Sequence, residues 1–116
     1  MAAIALNKFR TIRVGVTTNN VGIYTCPIGV ATIVILSQVT NTATSGVCSV
    51  TATHSRGTES PADFKFANNF AIPHSDSANL VPDGRLALET NDVIKIQATE
   101  NSKLELVLSI LETAKQ

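Results

Sequence analysis

Two histidines, two cysteines and nine acidic residues bound the chemistry open to this chain. His54 and His74, with Asp63, Asp76 or Asp83, are the residues from which a metal site would have to be built. Their spacing matches no pattern that brings ligands together along one element, and both histidines are better read as loop surface. Cys26 or Cys48 beside a histidine would make a nucleophile pair. A thiol in an apolar strand with no fixed cation next to it stays protonated and inert. Both cysteines are therefore expected as buried free thiols acting as small apolar residues, with a disulfide between them left open. Calcium needs several oxygen ligands close together. Asp76, Asp83 and Asp92 are scattered, as solvated turn residues are. Glu89 and Glu112 each close an apolar run and are placed to pair with Lys95 or Lys103 across strands. There is no glycine-rich phosphate loop and no Gly-x-Ser-x-Gly. These residues point to no catalytic centre, no cofactor and no metal.

The elements that would hold a site say more. The chain has 116 residues, which suits one domain, and 44% are hydrophobic, enough for a core. Nine basic and nine acidic residues cancel, so no basic surface excess exists to draw nucleic acid or anionic lipid. Aromatics make up 4% with no Trp; Tyr24 and the phenylalanines are few for a stacking platform that holds sugars or bases. No apolar run approaches the ~18 residues of a membrane helix. Met1–Lys8 lacks the charged-then-apolar order of a signal peptide, so the expected location is the cytoplasm in which the chain is made.

Alternation with a period of two runs through most of the sequence. From Gly84 to Glu112 three such runs follow one another: Leu86 and Leu88; Ile94, Ile96 and Ala98; Leu104, Leu106, Leu108 and Ile110. Asn91-Asp92 and Glu100-Asn101-Ser102 supply the turns between them. A three-stranded antiparallel meander is expected there. Upstream, Ile12, Val14 and Val16 alternate, Val21–Cys26 is a strand ended by Pro27, and Val47–His54 is a strand rich in Ser and Thr. Ser55–Asp63 reads as an exposed loop, and Ala71-Ile72-Pro73 as a short strand. Ala31–Leu36 is apolar without alternating, as a strand covered on both faces is. Val34 and Leu36 are expected on its second face, under a neighbouring subunit or under the chain's own arm. The expected fold is all-β: a single antiparallel β-sandwich, jelly-roll or immunoglobulin-like, of about seven or eight strands. Residues 1–9 form an N-terminal arm and residues 10–116 the sandwich domain.

A strand ending in Pro27 and Gly29 leads into an apolar strand that ends near Asn41. Ile72-Pro73 with Asp76, then Leu86 to Glu89, then Leu108 to Glu112 follow. This order of strands and turns resembles a family of small virion structural proteins of tailed phages, chiefly those infecting marine cyanobacteria. The likeness runs from Val14 onward. It departs at Ile28, where the family usually has a smaller residue, and in Ser55–Asp63, which has no counterpart. The resemblance implies a repeated, non-enzymatic component of the particle, in the capsid decoration, neck, tail or baseplate. Its partners would be other copies of itself, as a trimer, pentamer or hexamer, or the major capsid, tail or neck proteins. The candidate interface residues are Val34, Leu36, Val107, Leu111, Phe9 and Leu6. A second class of function is a carbohydrate- or receptor-binding module on the particle surface, with Tyr24 as its ring.

Overall fold

The computed structural model describes residues 7–81 and 85–114. Nine strands make up the fold: β1 (Asn7–Val16), β2 (Val21–Thr25), β3 (Val30–Asn41), β4 (Val47–Ser55), β5 (Asp63–Pro73), β6 (Ser77–Asn79), β7 (Leu86–Leu88), β8 (Val93–Ala98) and β9 (Leu104–Ala114). They form two packed antiparallel sheets, the expected β-sandwich. The five-stranded sheet runs β1-β9-β3-β6, with β7 also on β3, and the four-stranded sheet runs β2-β8-β4-β5.

The alternating runs become strands because each has one face to bury. Leu104, Leu106, Leu108 and Ile110 of β9 meet Ile94, Ile96 and Ala98 of β8 and Val50 and Ala52 of β4 in the core. Burying each large aliphatic side chain contributes about 1.5–3 kcal/mol. β9 is the central strand of its sheet, with β1 on one side from Asn7↔Thr113 to Val16↔Leu104 and β3 on the other. Gly29 and Gly46 turn the chain before β3 and β4 at φ of 80° and 86°, the left-handed region that costs glycine nothing.

Three expectations change. Gly84–Glu112 is not a meander. β7 pairs with β3, β8 lies in the opposite sheet and β9 returns to the first. The short connections cross between sheets, where a meander would turn back within one. Ala71–Pro73 is the end of an eleven-residue strand, β5, which begins at Asp63. Asn7–Phe9, assigned to the arm, open β1 and pair with Leu111–Thr113; residues 1–6, Leu6 among them, lie outside the described residues. No helix of the described residues is long and apolar enough to cross a membrane.

Candidate assembly surface

His54 and His74 sit at opposite ends of β4, since His54 pairs with Phe64 while His74 donates its backbone N–H to Gly46. Among the described residues no group of three or more His, Cys, Asp and Glu side chains is placed to hold a metal. Cys26 and Cys48 are both buried and free. Tyr24 is buried as well, so it offers no ring to a sugar.

Polar side chains of the core gather instead into two networks at one end of the sandwich. The first centres on Asp92, which is 1% exposed and so no solvated turn residue. Arg56 donates from Nε to Oδ1 at 3.0 Å and from Nη2 to Oδ2 at 2.7 Å. His54 Nε2 lies 2.9 Å from Oδ2, and the Glu89 backbone N–H donates to the same oxygen at 2.9 Å. An ionised carboxylate only accepts, so Nε2 carries the proton. Arg56 above all, aided by these donors, holds the Asp92 carboxyl well below the usual range. Glu89 reaches Arg56 rather than a lysine. His54, half-buried, is on the inner face opposite the buried Ile94 of β8, in the parity of Cys48, Val50 and Ala52; that parity was the signal for it in the sequence.

The second network joins Tyr24, Thr32 and Glu112. Tyr24 donates its hydroxyl to Glu112 Oε2 at 2.6 Å, and the phenolic oxygen lies 2.9 Å from Thr32 Oγ1. Arg10 reaches the same carboxylate at 3.3 Å. Burial and the adjacent Glu112 push the Tyr24 phenol well above its ordinary range. The expected lysine partners are elsewhere: Lys95 pairs with Asp63 and Lys103 with Glu100. Glu112 ties its strand to β1 and β2, and Asp92 ties the turn before β8 to β4 and the segment after it. Tyr24→Phe is therefore expected to cost about 1–2 kcal/mol. Urea unfolding reads this, and a midpoint equal to the parent's would mean that the Glu112 bond contributes nothing.

The outer face of the five-stranded sheet is different in kind. Residues directly paired across strands share a face. Phe9 pairs with Leu111, Leu111 with Ile33 and Ile33 with Ala87, which makes an apolar row across β1, β9, β3 and β7. Phe9 is 74% exposed, and Ile33 and Ile35 are exposed too. β3 carries a bulge between Val34 and Leu36, so Leu36 pairs with the outward Ser109 and joins this face, half-buried. Val107 lies beside Arg13 and Gln38 on the same side. Next to it Arg13, Gly15 and Glu105 border a shallow depression of about 410 Å³. Phe9, Leu36, Val107 and Leu111 thus share one face. Val34 does not. It is 1% exposed, on the inner side opposite Ile110, and has no surface left for a neighbour.

No protein-family model matches the chain, and no curated protein matches it in sequence. Its likenesses are structural. A chain from Bacillus endospore appendages, which form disulfide-linked pili, superposes with a TM-score of 0.52 at 13% identity, over 99% of this chain and 98% of that one. A chain from the acid-stable capsid of Helicobacter pylori bacteriophage KHP30 does so with a TM-score of 0.53 at 7% identity, over 97% and 90%. At these identities the likeness is one of fold. It is nearly end to end in both cases, and neither match singles out phages of cyanobacteria.

Proposed function

We propose that this chain is a non-enzymatic structural subunit of a tailed-phage virion, present in many copies and packed against its own kind within the capsid or tail lattice, and assembled in the host cytoplasm. The observation that carries this reading is the apolar outer face of the five-stranded sheet. A sandwich that works alone keeps such a face polar; here Phe9, Ile33, Ile35 and Leu111 stand together on it. The fold shared with a phage capsid chain and a pilus-forming appendage chain supports the same reading, because both of those belong to repeated assemblies. With a formal net charge of zero, copies do not repel one another as they approach. Phe9, at the start of β1, extends the contact.

Native mass measured by light scattering over a dilution series tests this. The parent protein is expected to form a defined oligomer. Ile33→Asp and Leu36→Asp, each placing a charge on the outer face, are expected to give a folded monomer with the parent's circular dichroism. An oligomer that survives both substitutions would rule out this face as the contact.

A further inference from the structure

The outer face of the four-stranded sheet is polar, and one part of it is shaped as well as wet. Val50 and Ala52 of β4 are buried in the core, so Ser49 and Thr51 lie on the outer side. Gln97 of β8 pairs with Thr51 and shares that side. Next to them β5 carries a bulge. Val50 pairs with Phe70 and Ala52 with Ala67, which leaves Asn68 and Asn69 together opposite Thr51. Asn69 takes a φ of 49°, in the left-handed region that asparagine tolerates better than most residues. A bulge re-aims a side chain, and bulges gather beside sites for that reason.

The result is a shallow depression of about 320 Å³ bordered by Thr18, Ser49, Thr51, Asn69, Gln97 and Thr99. That is the small end of ligand sites, which span about 300–1,000 Å³. Several of these residues are tied down at one end. Asn69 donates its backbone N–H to Thr51 Oγ1 at 3.1 Å, and that hydroxyl lies 3.4 Å from Asn69 Oδ1. Gln97 Nε2 donates to the Thr18 carbonyl at 2.9 Å, and Thr99 Oγ1 accepts from the Ser49 N–H at 3.1 Å. Among the described residues these bonds leave the Asn69 side-chain N–H groups, Gln97 Oε1 and the Ser49 hydroxyl without a protein partner. Donors and acceptors are therefore both on offer, in positions set before a ligand arrives.

No charged side chain lines the depression, so it selects neither an anion nor a cation. Lys95, two residues before Gln97, is tied to Asp63. No aromatic ring lines it either, so recognition there runs through hydrogen bonds. A ligand that is small, neutral, and both gives and takes hydrogen bonds at neighbouring atoms fits this set. The vicinal hydroxyls of a sugar ring have that chemistry. We propose that the depression beside the β5 bulge binds a neutral sugar unit through the Asn69 and Gln97 amides and the Ser49 and Thr51 hydroxyls. The site lies on the sheet opposite the apolar outer face and does not depend on assembly. Where copies do assemble through that face, individually weak sites act together.

Saturation-transfer NMR on the full chain tests this, with glucose, galactose, mannose and N-acetylglucosamine as neutral probes and N-acetylneuraminic acid as the charged one. Transfer to at least one neutral sugar is expected. Asn69→Gly keeps the left-handed backbone and removes the amide; Thr51→Val keeps the shape and removes the hydroxyl. Each is expected to weaken binding about tenfold, with the parent's circular dichroism. Gln97→Ala replaces either variant if it fails to fold. Ile33→Asp, on the other sheet, is expected to bind the sugar as the parent does, whatever its native mass. No transfer to any probe overturns the proposal, and transfer to N-acetylneuraminic acid alone overturns the neutral class. Binding that the Asn69 and Thr51 variants leave unchanged, or that Ile33→Asp abolishes, overturns the site.

Discussion

Asp92→Ala will destabilise this domain by about 3–5 kcal/mol, the cost of removing one partner from a buried ion pair. For a chain of this size that is a fall in melting temperature of roughly 12–20 °C. The reason is the number of groups that depend on one carboxylate. Arg56, His54 and the Glu89 backbone all donate to it, from β4, the segment after it and the turn before β8. Removing the acceptor leaves His54 and the part-buried Glu89 backbone N–H without this partner and leaves Arg56 only its exposed contacts with Glu59 and Glu89, a desolvation cost with little set against it. The effect has a pH signature. Arg56 and the other donors hold the Asp92 carboxyl well below its ordinary 3.8. The unfolded chain therefore takes up this proton before the folded one does. The stabilisation is complete above the ordinary value and is lost as pH falls below it toward the folded value. Urea unfolding at neutral and acid pH separates the contributions. Asp92→Asn, which cannot be titrated, should lie well below the parent at neutral pH and approach it on acidification. A constant gap at all pH values would mean that the carboxylate charge is not what Arg56 and His54 hold.

Asp92 also marks where the sequence stops being legible. Asn91-Asp92 carries turn chemistry, and a turn is present, with Asn91 at a φ of 69°. Nothing local says that the turn crosses from one sheet to the other and is roofed by Arg56, which is 36 positions away. The same gap hides strand order. Alternation gives each strand its inner and outer faces, and it does so correctly for β8 and β9. It does not say which strands are neighbours, and so three consecutive strands that belong to alternate sheets read as a meander. β3 fails for another reason. Its apolar run has no period, and its buried face includes Thr32, Ser37 and Asn41 while its outer face holds Ile33, Ile35 and Leu36. Each face of this strand thus mixes polar and apolar residues, and the bulge at Ile35 shifts the parity midway. That is how Val34 and Leu36, two residues apart, come to lie on opposite faces. The buried polar residues have partners that only the fold supplies: Thr32 has Tyr24, and Asn41 donates its side-chain amide to the Ile72 carbonyl.

Leu108 and Val107 separate the fold from the assembly within two adjacent positions. Leu108 is fully buried in the central strand β9, opposite Ile12 on one side and Ser37 on the other. Leu108→Ala should cost about 2–5 kcal/mol, the transfer of the lost carbons plus the cavity they leave between two sheets that cannot close on it. Val107→Ala, on the outer face of the same strand, should stay within about 0.5 kcal/mol of the parent. Native mass should reverse the order. Val107→Asp adds a charge beside Glu105 on the outer face of the sheet, and is expected to give a folded monomer. Leu108→Ala keeps the outer face intact and, below its lowered melting point, is expected to retain the parent's mass. The contrast is sharp because a strand has a period of two, so a register slip of one residue would exchange the two faces. Equal stability losses at both positions would contradict the pairing of β9 with its neighbours. If Val107→Asp assembled as the parent does, the fold would stand and the outer face would lose its role.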